Sequence, residues 1–351
     1  MAAPDKVPAQ LGYRMPAEWE PHAATWICWP QNASDWPGKL PAIGWVFAEM
    51  VKKLTQGETV RIIVGSRDVE KRARRILGKC HVDLARVEFF ILPTDRGWTR
   101  DFGPMFVTNR RGDKAVVKLR FNGWAKYSNH KLDNRAALKL AAKLKLPVFN
   151  APFTLEGGAI DVNGQGALIT TEECLLDQTT QTRNPGLGRA ENERALADYL
   201  GAANVIWLNK GIAGDDTHGH VDDLCRFVNP STVVLCAEDN PSDENYHPLQ
   251  ENRERLQGAR LENGSRPDVV ELPMPAPLVF DRMRLPASYA NFYIGNAAVI
   301  VPTFNDPNDR RALGILSELF PSRHVVGIHA VDLVWGLGTL HCLTQQEPET
   351  L

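Results

Sequence analysis

Apolar and polar positions along this chain fall into short blocks, and the blocks repeat. Thr25 to Trp29 reads as a buried strand, and the apolar positions of Ile43 to Leu54 then recur at helical spacing. Thr59 to Val64 is predicted as a strand, Asp68 to Leu77 as a basic helix, and Val87 to Leu92 as another strand. From there one plan recurs. Met105 to Val107, a turn at Asn109 to Gly112, and Ala115 to Phe121 make a hairpin, followed by a helix near Asn134 to Lys143 and a strand at Pro147 to Phe149. The second copy pairs Ala159 to Val162 with Ala167 to Thr171, then runs through the helix Arg189 to Leu200 and the strand Asn204 to Leu208. In the third, Leu224 to Val228 and Thr232 to Cys236 precede a helix near Leu249 to Arg260 and the strand Asp268 to Leu272. The fourth comprises Ala290 to Ile294, Ala297 to Val301, the helix Arg310 to Leu319 and His324 to Ile328.

The last predicted strand, Leu340 to Thr344, has no mate downstream. Its natural partner is the first strand near Trp26, whose following helix and strand complete a fifth unit. The termini then close a ring, which leaves no strand edge exposed. Five hairpin–helix–strand units of roughly 60 to 70 residues predict one α/β domain spanning residues 1–351, radial in plan.

The ring has a chemical consequence. In each unit the polar residues outside the turns lie just before, or at the start of, the hairpin: Arg100-Asp101, Glu156, His220 with Asp222, Tyr289 with Asn291, and His341-Cys342. Equivalent points of a ring converge on its axis, so Asp101, Glu156, His220, Asp222 and Cys342 are expected to meet. Gly214 to Asp223 is the densest stretch, with four carboxylates and two imidazoles. Such a cluster is costly to pack unless its members pair or bind a ligand. The plain alternative is a solvated acidic loop.

Composition narrows the partners. The 351 residues are 43% hydrophobic and 23% charged, with a formal net charge of −2, so nothing points to nucleic acid or an anionic membrane. No run approaches the roughly 18 apolar residues of a spanning helix. Met1 to Lys6 lacks the apolar core of a secretory signal. Six scattered cysteines without a C-x-x-C pair read as reduced thiols of a cytoplasmic protein. Nine Trp suit walls that stack on flat or cationic groups.

Cys342 follows Gly336 and Gly338, which permit close backbone approach. With a histidine arriving at the same centre, it becomes a candidate nucleophile, because the thiolate is the reactive species. The other five cysteines read as structural. Three carboxylates in one pocket repel one another unless a cation joins them. A guanidinium, planar and rich in donors, suits them best and offers an electrophilic carbon.

The motifs Met15-Pro16-Ala17-Glu18-Trp19-Glu20-Pro21-His22, Trp98-Thr99-Arg100-Asp101-Phe102-Gly103-Pro104, Leu155-Glu156-Gly157-Gly158, Gly219-His220-Val221-Asp222-Asp223, Ser288-Tyr289-Ala290-Asn291-Phe292 and His341-Cys342-Leu343-Thr344-Gln345-Gln346 occur in this order. With them the chain resembles the agmatine deiminase and bacterial peptidylarginine deiminase family, within the guanidino-modifying (pentein) superfamily. The resemblance implies a five-bladed, pseudo-symmetric α/β propeller with a central active site and neither cofactor nor metal. It implies Cys342 as nucleophile, His220 as general acid and base, Asp101 and Asp222 gripping the guanidinium, and Glu156 holding a substrate nitrogen. Trp98 and Trp124 are candidate substrate walls by motif context, although large aromatics more often serve the core. The implied reaction converts agmatine to N-carbamoylputrescine, with arginine or peptidyl-arginine as alternative guanidines. A homodimer through the outer helices is compatible with the ring.

Three segments depart from the family pattern: Arg96 where an acidic residue is frequent, Gly336-Leu337-Gly338-Thr339 before the final His-Cys pair, and Phe121 to Tyr127. Arg96 raises the expectation of a carboxylate-bearing substrate. Three rivals stand beside this reading. His218-Gly219-His220-Val221-Asp222-Asp223 resembles a metallo-hydrolase motif, an amine could replace water in amidino transfer, and a guanidine-binding protein would need no nucleophile. His341, placed on a strand next to Cys342, is expected to point to the opposite face as a structural residue. Arg100 is expected to pair with nearby carboxylates, and the loops at Met274 to Pro277 and Pro286 to Ser288 to overlie the site.

Overall fold

The computed structural model describes residues 6–350; the reading of Met1 to Asp5 as free of a signal segment lies outside the described residues. The chain opens with β1 (His22–Cys28), α1 (Leu40–Leu54), β2 (Thr59–Val64), α2 (Arg67–Lys79) and β3 (Val87–Ile91). Helix α1 forms because Ile43, Phe47, Met50, Val51 and Leu54 share its buried face, with Pro41 in its first turn. In α2, Ser66 accepts the backbone N–H of Val69 as cap, and Val69, Ala73 and Leu77 make a stripe four residues apart. After α3 (Thr99–Phe102) come β4 (Met105–Thr108), β5 (Lys114–Arg120), α4 (Ala136–Leu144) and β6 (Val148–Thr154). The next unit holds β7 (Asp161–Val162), β8 (Ala167–Thr171), α5 (Glu172–Leu176), α6 (Arg189–Leu200) and β9 (Asn204–Leu208). It is followed by β10 (Cys225–Phe227), β11 (Thr232–Ala237), α7 (Tyr246–Gly258) and β12 (Asp268–Pro273). A small hairpin, β13 (Val279–Phe280) with β14 (Met283–Arg284), intervenes. The chain ends with β15 (Tyr293–Ile294), β16 (Ala298–Thr303), α8 (Asn308–Leu319), β17 (His324–His329) and β18 (Thr344–Pro348).

Five mixed sheets result. Four repeat one topology, an antiparallel pair extended by a parallel strand: β4-β5-β6, β7-β8-β9, β10-β11-β12 and β15-β16-β17. The parallel step needs a long crossover, and a helix occupies each one. The fifth sheet, β18-β1-β2-β3, pairs the last strand with the first, Ile27 opposite Thr344 and Trp26 opposite Gln345. The predicted pairing of the two ends of the chain is thus observed.

The prediction erred where strands are short. Cys342 precedes the last strand, which starts at Thr344 and not at Leu340. Leu340 to Leu343 are wholly or nearly buried, and burial in a turn leaves the same apolar signature as burial in a strand. The first strands β7, β10 and β15 are likewise only two or three residues long. The β13–β14 hairpin and α5 were not anticipated. Among the described residues no helix is long and apolar enough to cross a membrane.

Candidate active site

Each candidate residue sits just ahead of the first strand of an antiparallel pair. Asp101 lies in α3 before β4, and Glu156 leads into the 3₁₀ turn Gly157–Ala159 before β7. His220 and Asp222 belong to the turn around Val221–Asp223 before β10, and Cys342 comes just before β18. The five come together. His220 Nδ1 is 3.9 Å from Asp101 Oδ1, and its Nε2 is 3.8 Å from Glu156 Oε2. The Cys342 Sγ lies 3.6 Å from Asp222 Oδ2. Gly158 makes the close packing possible. A Cβ there would stand 2.5 Å from His220 Nδ1 and 3.0 Å from Asp222 Oδ2, while its N–H donates to Asp101 Oδ1 at 3.0 Å.

A cavity of about 270 Å³ opens onto Asp101 and Cys342, walled by Trp98, Trp124, Tyr127 and Trp335. Both tryptophans of the sequence reading therefore line it, and both are buried as well. Trp124 adds a polar function, donating Nε1–H to Asp101 Oδ2 at 2.8 Å. The loops predicted to overlie the site do not; Met283 of the hairpin between them does. Arg96 lines the outer part, with its guanidinium bonded to Asp35 at 2.8 Å and stacked 4.0 Å from the Tyr127 ring centre. Asp35 and Asn129 engage its two terminal nitrogens and Nε has no partner, which weakens the expectation that it selects a carboxylate.

The charge states follow from burial and neighbours. Burial, then Asp222, Asp223 and Asp101, pushes the Cys342 thiol well above its ordinary range. Burial also lifts Asp101 to about 6, against the pull of His220. For His220, burial opposes the charged form, but Asp101, Glu156 and Asp222 outweigh it and raise the imidazole to about 9. Glu156 would rise on burial alone, yet the Arg183 guanidinium, 3.0 Å away, and His220 hold it at about 2. At neutral pH the pocket therefore contains carboxylates, an imidazolium and a neutral thiol. Asp222 Oδ1 and both ring nitrogens of His220 are buried without a hydrogen-bond partner, an expensive state that an incoming group with complementary donors and acceptors relieves.

Beneath the pocket lies a second layer centred on Glu18 and Arg226, to which the sequence reading gave no role. Glu18 accepts from Arg226 at 2.9 Å, from the backbone of Ile294 at 2.8 Å and from Arg100 at 3.0 Å. Its Oε2 also lies 2.8 Å from His341 Nε2. His341 is buried as expected, but it lies in a turn instead of a strand, and instead of facing away from the site its Nδ1 stands 2.7 Å from Asp222 Oδ2. Arg100 pairs with Glu18, as anticipated. Arg183 and Asn291 complete the site. Asn291 lay in the recurring position of the fourth unit; Arg183 carried no signal, since it sits in a loop outside the repeat.

The two histidines of the metallo-hydrolase motif do not converge. His218 Nε2 faces Asp177 at 2.8 Å, apart from the partners of His220. Two groups among the described residues have metal-ligand spacing, Glu156–Cys174–His220 and Asp222–Asp223–Cys342. In both, a carboxylate already has a partner, Arg183 for Glu156 and Asn291 for Asp223. Cys174, read as structural, is thus a neighbour of His220, its thiol raised by burial.

Comparison with known proteins agrees with this geometry. Residues 14–348 match the family model described as Porphyromonas-type peptidyl-arginine deiminase. An agmatine deiminase of Pseudomonas aeruginosa (strain LESB58) is 36% identical over 373 aligned positions, covering 99% of both chains. The structure of the agmatine deiminase of Enterococcus faecalis superimposes with a TM-score of 0.93 at 31% identity over the whole of both chains. A cysteine-to-serine variant of the C. jejuni agmatine deiminase, solved with substrate bound, gives 0.87 at 32% identity over 97% of each.

Proposed function

We propose, from the premise that the chain belongs to the Porphyromonas-type peptidyl-arginine deiminase family, that it hydrolyses agmatine to N-carbamoylputrescine and ammonia through a covalent adduct on Cys342. One observation carries the reading. Asp222 Oδ1 and the His220 ring, unpartnered and buried, share a pocket with the Cys342 sulfur, a set that accepts a planar cation and attacks its carbon. Agmatine is the choice because the curated relatives named above act under that name, and because the Arg96 guanidinium at the pocket mouth is already paired with Asp35.

The guanidinium enters between Asp101 and Asp222, with Glu156 on a third side. Its positive charge offsets the carboxylates that hold the thiol neutral, so the thiol ionises on binding and its proton leaves to solvent. The thiolate forms a bond to the guanidinium carbon. His220, protonated in the resting pocket, delivers its proton to one nitrogen; the C–N bond breaks and ammonia departs. The S-alkylthiouronium adduct remains, and His220 is neutral. It then takes a proton from water as the oxygen bonds to carbon. The new hydroxyl gives its remaining proton to solvent as the C–S bond breaks and the neutral ureido group of the product forms. The expelled thiolate is reprotonated from solvent when the product leaves.

On this reading the five sheets are blades of a pseudo-symmetric five-bladed propeller, one domain over residues 1–351 with the site on its axis. The recurring place of the site residues before each hairpin and the β1–β18 pairing support it. The six free cysteines support a reducing, cytoplasmic setting. Exposed Trp45, Val279 and Phe280 support a homodimer, which light scattering checks.

The test is a ureido-product assay against agmatine, arginine and a short arginine peptide, with Cys342→Ala as control. Turnover of agmatine, at least tenfold above the other two and lost in the variant, is expected. Equal turnover of arginine would refute the substrate, and activity in the variant would refute the mechanism.

A further inference from the structure

We propose that Asn291 is a further catalytic residue: its side-chain amide is the donor that holds the Cys342 sulfur in place and favours its thiolate. The proposal rests on the deiminase reading only for the identity of the electrophile.

The orientation of this amide is determined by its surroundings. On one side stand the backbone N–H of His341 at 3.0 Å, the backbone N–H of Cys342 at 3.4 Å and the Thr339 hydroxyl at 2.8 Å. Backbone N–H groups can only donate, so the end that meets them is the oxygen. The NH₂ end therefore faces Cys342 Sγ at 3.1 Å and Asp223 Oδ1 at 2.9 Å. Its two hydrogens have one acceptor each. Asn291 is fully buried, as is Asp223 to within 2%, so neither bond competes with bulk water.

The other groups facing the sulfur work against the thiolate. Asp222 and Asp223 reach it from the turn before β10, and Asp101 from α3. His220 shares the pocket but bonds to neither sulfur nor carboxylate. Among the described residues Asn291 is the single side chain that donates to Sγ. A donor that strengthens as negative charge develops on its acceptor stabilises the thiolate over the thiol. It also clamps Cys342 twice, backbone by Oδ1 and side chain by Nδ2. That double hold restricts the sulfur to one position, as a near-attack geometry requires.

The experiment measures the thiol directly. Full-length wild type, Asn291→Ala and Asn291→Asp are treated with dithiodipyridine at pH 8 without substrate, and the rate at Cys342 is isolated by subtracting a Cys342→Ala control. Loss of a hydrogen bond to a charged acceptor raises the thiol pKa by about one to two units. Because the remaining thiolate is more nucleophilic, the rate should fall about three- to fifteen-fold. Asn291→Asp keeps the oxygen that binds the backbone and replaces the donor by an anion, so it should react more slowly still. It serves if Asn291→Ala loses its cooperative melt. With agmatine, kcat should fall about ten- to a hundred-fold while KM stays within about threefold.

A merely structural role would open the pocket and speed the reaction. Rates within twofold of wild type in both variants, or a raised KM with unchanged kcat, would overturn the proposal. Since the thiol assay needs no guanidine, a slowed thiol in a protein inactive on agmatine would uphold the role of Asn291 while defeating the deiminase reading.

Discussion

The His341 imidazole lies between two carboxylates, its Nδ1 2.7 Å from Asp222 Oδ2 and its Nε2 2.8 Å from Glu18 Oε2. A hydrogen on Nε2 donates to Glu18; a hydrogen on Nδ1 donates to Asp222 Oδ2 and turns that carboxylate so that its other oxygen stays free in the pocket. Burial opposes the charge on Glu18, but Arg226, His341 and Arg100 hold its carboxyl well below the usual range.

Removing that charge should unsettle both the fold and the site. Glu18→Ala leaves Arg226 and Arg100 buried without this partner, and breaking a buried pair from one side costs about 3–5 kcal/mol. Urea unfolding of the variant should show a loss of that size. In the milder Glu18→Gln, activity should fall at least tenfold while the protein still melts cooperatively. Wild-type activity in Glu18→Gln would show that His341 orients Asp222 without its second carboxylate.

Binding of the cationic substrate should tighten with rising pH in two steps. Asp101, lifted to about 6, becomes anionic above that pH; His220, raised to about 9, loses its positive charge above that one. Each change favours a guanidinium. Calorimetry with agmatine and the Cys342→Ala variant should therefore give affinity that weakens by up to about tenfold per pH unit below 6 and improves again above 9. A flat profile between pH 5 and 7 would remove Asp101 from the grip.

Trp124 has a role that its size alone conceals. Its Nε1–H stabilises the anionic form of Asp101. Trp124→Phe keeps a ring in the wall but loses the donor, so Asp101 should titrate higher still and the acid limb of binding should move upward by about one pH unit. At pH 7 the dissociation constant should rise about twofold, and more at lower pH, with little change in melting temperature. An unmoved limb would assign Trp124 to shape alone.

Glu156 links the site to acid stability. Its folded pKa of about 2 lies below the ordinary 4.5, so its contribution is complete above about pH 4.5 and is lost as pH falls toward 2. The shift corresponds to about 3 kcal/mol. Unfolding free energies from pH 5.5 to 3 should fall more steeply for wild type than for Glu156→Gln. Asp101, whose raised value acts in the opposite sense, is present in both proteins, and loss of the Glu156 charge lowers its value in the variant. Parallel curves would mean that Arg183 does not hold Glu156 as described.

Much of this was legible in the sequence. Strands Thr59–Val64, Ala167–Thr171 and Asn204–Leu208 and helix Arg189–Leu200 were read with their observed ends. Their apolar periods are regular and their turns carry Gly, Asn or Pro. The position before each hairpin was legible because the unit repeats. The start of the final strand was not, since a buried turn and a buried strand share one composition.

The sequence by itself determined the α/β repeat, the pairing of its two ends and the five residues that meet at the site, because a local pattern repeated in order dictates where equivalent positions fall. The tertiary structure alone decided how those residues are charged and aimed. Glu18 meets His341 across 323 positions, and Asn291 meets Cys342 across 51. Arg183 reaches Glu156 from a loop outside the repeat. A protonation state is set by burial and by the nearest charges in space, and neither quantity is periodic along the chain.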